Sequence, residues 1–478
     1  MIELYDYQKQ YINALRLQMK QGNKRLVLCA PTGSGKTIMF SYMVKNHIDK
    51  GGRVIVFTHR VELLTQAGGS FEKFGLKPEF IKPGVATDLS SPLHIAMIET
   101  YNRRKEDYSM FMEQKTLVII DESHLQNFTK ILDEIPKGTY VIGATATPYR
   151  NPNATQMGDF YTSIVQELDT QDVIDLDKLT PAKSYGVPID MKGLKKKGDD
   201  YDTSEYYEEN KTYVGVVKNW EKHSKNEKTI LFSSNIKSSK EVCDEFILKG
   251  YNAKHIDGKT SKKERPIILD WFKNTPDAIL CNCGILTSGF DQSDILTVIL
   301  YRATTSLPLF LQMCGRGSRI SENKTHFKIL DFGNNIERLG FWEENRKWEL
   351  FYKKKSKKEQ EAPKKICPKC DAVNPSSAKE CIICEWAFPK PKPTEEEVIL
   401  QELKRLELKG RKLSELYIGE LIQLQKLSKY KATFIWRIIR SKGTHCIEKY
   451  ASLMEYSDGW VYRQKQDIRN SNFTDLTI

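Results

Sequence analysis

The sequence lacks long apolar runs and has no leader-like segment at its beginning. Residues 1–10 are polar and aromatic, whereas a secretory signal needs a central apolar stretch. No segment approaches the roughly 18 consecutive apolar residues of a membrane-spanning helix. These absences argue against a secreted or membrane protein and predict a cytoplasmic location.

A disulfide framework is also missing, although the chain contains 10 cysteines. Six of them are scattered, several within apolar segments: Cys29, Cys243, Cys281, Cys283, Cys314 and Cys446. This distribution is typical of reduced intracellular proteins and not of small secreted domains.

The composition is that of an ordinary soluble globular protein, with 40% hydrophobic and 28% charged residues. A length of 478 residues allows about two to four domains, each with its own core. Basic residues outnumber acidic ones, 74 Lys and Arg against 62 Asp and Glu. The excess fits a polyanionic partner, but many soluble proteins carry a similar one, so the charge alone leaves both readings open.

Strand-like runs alternate with helix-like segments in two successive series. The runs are short, apolar and rich in β-branched residues, which is typical of buried parallel strands. The first series consists of Arg25–Ala30, Val54–Thr58, His94–Ile98, Leu117–Asp121 and Tyr140–Thr145. The second consists of Thr229–Ser233, Asn252–Ile256, Ala278–Asn282, Leu296–Tyr301 and His326–Asp331. Two α/β domains in tandem are therefore predicted.

The segments between and after these series differ in composition. Residues 151–227 are less regular, and the charged stretch Lys192–Asn210 within them predicts loop or linker. Tyr352–Lys365 contains seven lysines and two glutamates, and it predicts either a solvated linker or a basic brace on nucleic acid. After the proline-rich hinge Pro389–Pro393, a capping box at Thr394 and Glu397 begins several short helix-like segments.

The strongest local pattern is Ala30-Pro31-Thr32-Gly33-Ser34-Gly35-Lys36-Thr37, which follows an apolar strand and precedes an apolar helix. Its small residues let backbone N–H groups surround phosphates, and the helix N-terminus adds to that field. Lys36 is suited to neutralise β- and γ-phosphate oxygens, and the Thr37 hydroxyl to ligate Mg²⁺. The segment Thr32–Thr37 therefore predicts an ATP-binding phosphate loop.

A phosphate loop needs a metal-binding carboxylate on a neighbouring strand, and the run Leu117–His124 supplies one. Its apolar strand ends in two acids, which puts Asp121 at the carboxyl edge of the predicted sheet. We predict that Asp121 holds Mg²⁺ and that Glu122 polarises the attacking water.

Together with further motifs, these residues resemble the DExH branch of the superfamily 2 helicases through roughly the first 340 residues. The other matching motifs are Leu4–Gln8, Phe57–Leu64, Met97–Tyr101, Gly143–Pro148, Ile230–Ser234, Ile285–Asp291 and Gln312–Arg319. The resemblance implies an ATP-driven nucleic-acid motor built from two RecA-like domains with parallel sheets.

The resemblance also implies roles in hydrolysis. Gln8 would bind the adenine base, although Tyr5 stands where the family has an arginine. Arg319 would be the arginine finger, with Arg316 and Gln312 beside it. An always-charged, planar guanidinium suits the charge that grows during phosphoryl transfer.

Further contacts follow from the same resemblance. Gly289 and Asp291 are expected on the nucleotide side of the second domain. His124 either bridges the ATP site to the second domain or is only structural. The nucleic-acid strand is expected to contact Arg60, Thr100, Arg103 and Thr287.

Two C-x-x-C knuckles, separated by ten residues, predict one tetrahedral Zn²⁺ site with the ligands Cys367, Cys370, Cys381 and Cys384. The segment with these two knuckles is too small to have its own hydrophobic core. The metal must therefore supply folding energy. The pattern resembles a zinc ribbon. A redox role for one C-x-x-C is the alternative, and the partner of the module is left open between nucleic acid, the motor and another protein.

The predicted architecture therefore has four parts. Residues 1–165 form the first RecA-like domain and residues 166–350 a linker and the second one. Residues 351–393 form the basic linker and the zinc module, and residues 394–478 a short helical region. Its ending, Gly459–Tyr462, resembles the tail of helicases encoded in phage replication gene clusters, which implies a phage-encoded protein in the host cytoplasm.

The leading hypothesis is a helicase or translocase that uses ATP and Mg²⁺, carries Zn²⁺, and acts on single-stranded, forked or branched DNA in replication or recombination. The rivals are an RNA helicase or RNA-stimulated ATPase, the motor of a restriction complex, and a zinc-bearing replisome scaffold with a vestigial ATPase. Strand separation would need Lys353–Lys365, the zinc module or the helix of Arg437 and Arg440. A truncation after Lys353 is therefore expected to keep ATPase activity and lose unwinding.

Overall fold

The computed structural model describes residues 3–59, 61–150, 153–186, 196–197, 200–201, 212–287, 289–351, 363–389, 413–427, 432–454 and 456–470. Several sequence predictions lie outside the described residues: Arg60, most of the lysine-rich segment, residues 390–393 of the proline-rich hinge, and the capping box at Thr394 and Glu397. The chain forms two compact units, residues 1–388 and 389–478.

A seven-stranded parallel sheet forms the first half of the larger unit, in the order β3-β4-β2-β5-β6-β1-β7. Its strands are β1 Arg25–Cys29, β2 Val54–Thr58, β3 Glu79–Ile81, β4 Leu93–Met97, β5 Leu117–Asp121, β6 Tyr140–Thr145 and β7 Ser163–Val165. Alternate residues of β1 enter different cores, Leu26 and Leu28 on one face and Val27 on the other. Both faces are thus covered, which explains why the central strands are almost wholly apolar.

Helices cover the two faces of this sheet. They are α1 Asp6–Lys20, α2 Lys36–Ile48, α3 Val61–Glu72, α4 Ile98–Arg103, α5 Ser109–Glu113, α6 Thr129–Glu134 and, at the domain junction, α7 Thr170–Asp175. The buried face of α1 carries Tyr7, Tyr11 and Leu15 at a spacing of four residues. The Tyr11 hydroxyl donates to the Leu168 carbonyl at 3.1 Å and thereby ties α1 to the junction.

A second parallel sheet has six strands in the order β12-β13-β11-β14-β15-β8. Its strands are β8 Ala182–Gly186, β11 Thr229–Ser233, β12 Ala253–Asp257, β13 Ile279–Cys283, β14 Thr297–Tyr301 and β15 Phe327–Asp331; β9 Lys196–Lys197 and β10 Asp200–Tyr201 pair with each other apart from it. The predicted architecture of two parallel-sheet α/β domains is confirmed. The edge strand β8 comes from the less regular residues 151–227, for which the sequence predicted no strand.

The second sheet is covered by α8 Thr212–Ser224, α9 Ile236–Leu248, α10 Glu264–Asn274, α11 Leu307–Cys314 and α12 Asn335–Leu339. Two of these helices begin at side-chain caps. Asn235 accepts a hydrogen bond from the Ser238 amide at 2.8 Å, and Ser306 accepts one from the Leu309 amide at 3.3 Å.

The four-cysteine module packs on the free edge of this sheet. It contains the hairpin β16 Lys364–Ile366 and β17 Val373–Pro375. The Gly186 amide of β8 donates to the Asp371 carbonyl at 3.0 Å, and Tyr185 pairs with Ala372. The Asp371 carboxylate lies 2.5 Å from Lys222 Nζ on α8. The module therefore covers an edge whose backbone groups would otherwise be exposed.

The smaller unit contains α13 Ile418–Leu427, α14 Ala432–Ser441, α15 Thr444–Leu453 and α16 Asp458–Asn470. Its core includes Leu421, Ile435, Ile439 and Tyr450. The apolar face of α14 is thus core, as its spacing predicts, and Arg437 lies exposed on the opposite face. Among the described residues, no helix is long and apolar enough to cross a bilayer.

Candidate functional site

The phosphate loop joins the carboxyl end of β1 to the first turn of α2. Gly33 and Gly35 both have left-handed backbones, with φ of 88° and 84°. A side chain at Gly35 would be strained by this positive φ, and its Cβ atom would also lie 2.5 Å from Gln8 Nε2. The loop can therefore curl closely enough for its backbone amides to face a phosphate.

Lys36 opens α2 and folds its side chain back over this loop. Its ammonium donates to the Ala30 carbonyl at 3.0 Å and to the Pro31 carbonyl at 3.1 Å. Burial lowers the pKa of Lys36, while the nearby carboxylates of Glu122 and Asp121 raise it. The two acids therefore lie close enough to oppose part of the effect of burial on this ammonium.

Asp121 ends β5 at the same sheet edge, and Glu122 follows it in a strained conformation. Burial and the charge of Glu122 raise the pKa of Asp121 to about 7. The φ of Glu122 is 54°, a left-handed value that costs a residue with a side chain roughly 1–3 kcal/mol. Such strain is typical of active sites, where the surrounding contacts hold it.

The Glu122 carboxylate has one atom that the protein leaves without a hydrogen bond. Its Oε2 is buried and has no hydrogen-bond partner among the described residues, although His124 Nδ1 lies 3.4 Å away. This buried oxygen, the adjoining Asp121 carboxylate, Lys36 and the Thr37 hydroxyl suit Mg-ATP, which would bring a divalent cation to the acids and phosphate to the loop. The residues therefore fit the cofactors implied by the sequence.

His124 connects this acidic turn to β6 and, through it, to the phosphate loop. Its Nδ1 hydrogen-bonds to Thr145 Oγ1 at 2.8 Å, and the Thr145 carbonyl accepts from the Ala30 amide at 3.2 Å. Burial lowers the pKa of His124, which favours the neutral ring. The imidazole thus bonds to the first domain in this structure, and a bridge to the second domain stays a prediction.

One buried residue of this region was not singled out from the sequence. Arg150 follows Gly143–Pro148 and donates to the main-chain carbonyls of Ser123, His124 and Leu125. Its partners are main-chain carbonyls, which no side chain in the sequence marks. Only the fold therefore brings Arg150 to the acidic turn.

The predicted nucleotide-side residues of the second domain lie in α11, in the segment directly after it and in the loop after β13. Arg316 donates to the Thr287 carbonyl at 2.8 Å and to the Phe290 carbonyl. Arg319 Nε lies 2.9 Å from Asp291 Oδ1. Gly289, with φ of 72°, shapes that loop, and Gln312 is half-exposed near the end of α11.

Loop contacts between the two domains bring the segment after α11 close to the phosphate loop. A Cβ atom on Gly315 would lie 2.6 Å from Thr32 Cγ2, and one on Gly33 would lie 2.9 Å from Leu179 and 3.4 Å from Ser318 Oγ. The pKa of Lys36, lowered mainly by burial, is lowered further by the guanidinium of Arg316. Arg316 is therefore the arginine whose charge reaches the loop here, while Arg319 is paired with Asp291.

Gln8 contacts the phosphate loop. Its Nε2 donates to the Ser34 carbonyl at 3.2 Å, and its Oε1 accepts from the Tyr5 amide at 3.1 Å. Only 4% of Gln8 is exposed, so both ends of its amide are used within the protein. Recognition of adenine by Gln8 stays a prediction, and it requires these bonds to rearrange.

The predicted nucleic-acid contacts differ in accessibility. Arg103 is exposed in the last turn of α4, which directly follows the carboxyl end of β4. Thr100 is a buried residue of the same helix, and Thr287 is buried with its carbonyl bonded to Arg316. Arg60 lies outside the described residues. A strand-binding role for these four residues stays a prediction.

The four clustered cysteines converge on one point. Their Sγ atoms all lie within 4.8 Å of one another, with Cys367 to Cys384 at 3.7 Å and Cys370 to Cys381 at 3.6 Å. A tetrahedral zinc with Zn–S bonds of about 2.3 Å spaces its sulfurs by about 3.8 Å. The amides of Asn374 and Ile383 donate to Cys381 Sγ, which favours its thiolate. The arrangement fits Zn²⁺ and not a disulfide pair.

Comparisons with known proteins agree with this architecture. The family described as "Type III restriction enzyme, res subunit" matches residues 1–150, and "Helicase conserved C-terminal domain" matches residues 211–321. The 51.5 kDa protein of a Lactococcus phage (isolate 7-9) is 31% identical over 396 residues, covering 80% of this chain and 83% of that protein.

A second relative is IRC3 of Saccharomyces cerevisiae, which carries the name of an ATP-dependent helicase. It is 30% identical over 355 residues, and the match covers 69% of this chain but 51% of the yeast protein. Among solved structures, the DNA-bound ATP-dependent Type ISP restriction-modification enzyme LlaBIII has a TM-score of 0.51 and 19% identity, covering 69% of this chain and 27% of that one.

Proposed function

Because the chain belongs to the superfamily 2 helicases, we propose that it is a DNA motor that hydrolyses ATP to move along and unwind forked or branched DNA in replication or recombination. The observation that carries the proposal is the gathering of Lys36, Asp121, Glu122 and Arg316 around one cleft between two parallel sheets.

Each side chain of the cleft has a separate task in hydrolysis. Lys36 and the loop amides hold the phosphates, while Thr37 and Asp121 hold the metal. Glu122 orients and deprotonates the attacking water through its buried oxygen. Mg-ATP, when bound, supplies the phosphoryl group and the cation that offsets the charge of the two acids.

The arginines of the second domain make hydrolysis depend on contact between the domains. Arg316 neutralises charge growing on the γ-phosphate, and Arg319 joins it after leaving Asp291. Since both arginines lie on the second domain, the cleft must close for turnover and open for product release. Alternate closing and opening is the motion that drives the motor along a strand.

DNA is proposed over RNA because the chain shares its fold with an enzyme solved on DNA and is similar to a phage protein. A motor of this kind grips the sugar-phosphate backbone, so affinity should be electrostatic and insensitive to base sequence. The ATPase rate should be measured with single-stranded, duplex, forked and four-way DNA and with RNA. Stimulation by RNA and not by DNA would replace this proposal with an RNA-dependent ATPase.

We propose that the smaller unit takes part in strand separation. The docking of the cysteine module on β8 determines which truncation can test this role. Cutting after Lys353 would uncover β8 and remove Cys367 and Ala372 from the core of the second domain. A chain of residues 1–388 keeps both sheets and the module. We expect it to retain DNA-stimulated ATPase activity within about twofold and to lose at least about 90% of forked-DNA unwinding.

Both activities should be measured on one preparation, after thermal unfolding has established that the shortened chain is folded. The intact chain carrying Arg437→Glu serves as a milder companion, because it changes only an exposed side chain of α14. Unwinding at full efficiency by residues 1–388 would exclude the smaller unit from the separating machinery.

A further inference from the structure

Arg150 uses its entire guanidinium inside the protein, next to the acidic turn. Only 3% of the residue is exposed. Its Nε donates to the His124 carbonyl at 3.0 Å, and its Nη2 donates to the carbonyls of Ser123 at 3.1 Å and Leu125 at 3.2 Å. Its Nη1 donates to the Thr155 carbonyl at 3.1 Å and to Thr129 Oγ1 at 3.3 Å. All five N–H donors of the side chain are therefore used.

The three carbonyls bonded by Nε and Nη2 belong to consecutive residues, 123 to 125, that directly follow Glu122. The turn is closed by the Leu125 amide, which donates to the Glu122 carbonyl at 3.0 Å. It is tied to β6 by the Ser123 amide, which donates to the Ala144 carbonyl at 3.1 Å. The residues that follow Glu122 thus hold its left-handed backbone in place. Among the described residues, no other side chain bonds to as many main-chain carbonyls of residues 123 to 125 as Arg150 does.

We propose that Arg150 is a positioning residue for ATP hydrolysis, whose guanidinium holds the turn that aims the Glu122 carboxylate at the attacking water. The inference rests on the proposed role of Glu122 as the base. Through Arg150, the segment after β6 would influence hydrolysis by fixing the main-chain conformation of residues 123 to 125.

The hydrogen-bond acceptors around Arg150 demand a particular donor geometry. The acceptors are neutral carbonyls and a hydroxyl, arranged so that a planar fork reaches three successive residues. Lysine would keep the positive charge, but its three donors radiate from one atom and cannot span this set. Arg150→Lys is therefore the variant that separates the fork from the charge.

Arg25 provides a matched control in the same domain. Its Nη1 donates to the Leu132 carbonyl and its Nη2 to the Ile135 carbonyl, both at 2.9 Å. It therefore also binds main-chain carbonyls, but at the end of α6, away from the acidic turn. Arg25→Lys therefore measures how much the loss of a similar pair of guanidinium hydrogen bonds lowers stability, without a change at the acidic turn.

Arg150→Lys is expected to lower kcat about 100-fold, because a base displaced by about 1 Å loses that much rate. The dissociation constant for ADP, followed by fluorescence competition, should stay within about twofold. The midpoint of thermal unfolding should fall no further than it does for Arg25→Lys, whose kcat should be unchanged. A kcat for Arg150→Lys near the original value would overturn the proposal, and so would equal losses in kcat and in ADP affinity.

The decisive comparison is the double variant Arg150→Lys with Glu122→Gln. If Arg150 acts through Glu122, the double variant turns over at the rate of Glu122→Gln alone. A further tenfold loss would mean an independent role and would overturn the proposal. Near-normal turnover by Glu122→Gln would instead refute the base assignment, so the two failures are distinguishable. If Arg150→Lys does not fold, Arg150→Gln takes its place, and failure of both variants to fold makes Arg150 a stability residue only.

Discussion

Replacing Glu122 with glutamine should slow ATP hydrolysis by about 10²–10⁴-fold, because the amide cannot accept a proton from water. Glutamine has nearly the shape of glutamate, so the left-handed turn and the phosphate loop should persist. Nucleotide and nucleic acid should still bind. The measurements are steady-state ATPase rate and equilibrium binding of ATP and of single-stranded DNA to the same variant.

Two further variants make this test specific. Lys36→Ala should weaken nucleotide binding as well as turnover, because Lys36 neutralises phosphate charge before the reaction begins. Glu113→Gln changes an exposed carboxylate of α5 in the same domain and should leave both properties unaltered. Near-normal turnover by Glu122→Gln would sink the assignment of this residue as the base.

Replacing Cys381 with serine should remove the metal from the cysteine module and unfold it. Purified, reduced protein is expected to carry about one zinc per chain, and structural zinc sites contribute about 10–16 kcal/mol in isolated zinc-finger peptides. Since the module lies on β8, its loss should lower the unfolding free energy of the second domain by more than about 4 kcal/mol. Metal analysis and thermal unfolding measure the two effects.

Loss of the module should leave the phosphate loop folded, because this loop belongs to the first domain. Cys381→Ser should therefore bind ADP within about twofold of the original affinity while failing to hydrolyse ATP efficiently. Cys283→Ser is the matched control, because Cys283 is a partly buried cysteine outside the cluster. Absence of zinc from reduced protein, or an unchanged unfolding midpoint in Cys381→Ser, would contradict a structural metal.

The docking of the module changes the interpretation of its role. The sequence left its partner open between nucleic acid, the motor and another protein. Asp371 forms an ion pair with Lys222, and Cys367 and Cys381 share a core with Trp220 of α8. The module is therefore part of the second domain, and contact with the motor is the alternative that the structure supports.

Local patterns determined much of this protein. The glycine-rich loop, the strand that ends in Asp121 and Glu122, and the paired C-x-x-C knuckles are short segments whose chemistry depends on spacing along the chain. Central strands were also predictable within about one residue, because burial on both faces of a parallel sheet demands a continuous apolar run. Parallel pairing then brings the carboxyl ends of β1, β5 and β6 to one edge.

Tertiary structure alone decided the remainder. β8, with the sequence Ala-Lys-Ser-Tyr-Gly, has no apolar run and becomes a strand only because β15 and Ala372 supply hydrogen bonds on its two sides. Arg150 was not singled out from the sequence, because only the fold places three main-chain carbonyls around it. Both features depend on hydrogen bonds between segments that are distant in sequence. Local periodicity cannot predict such partners, because only tertiary packing brings them within about 3 Å of each other.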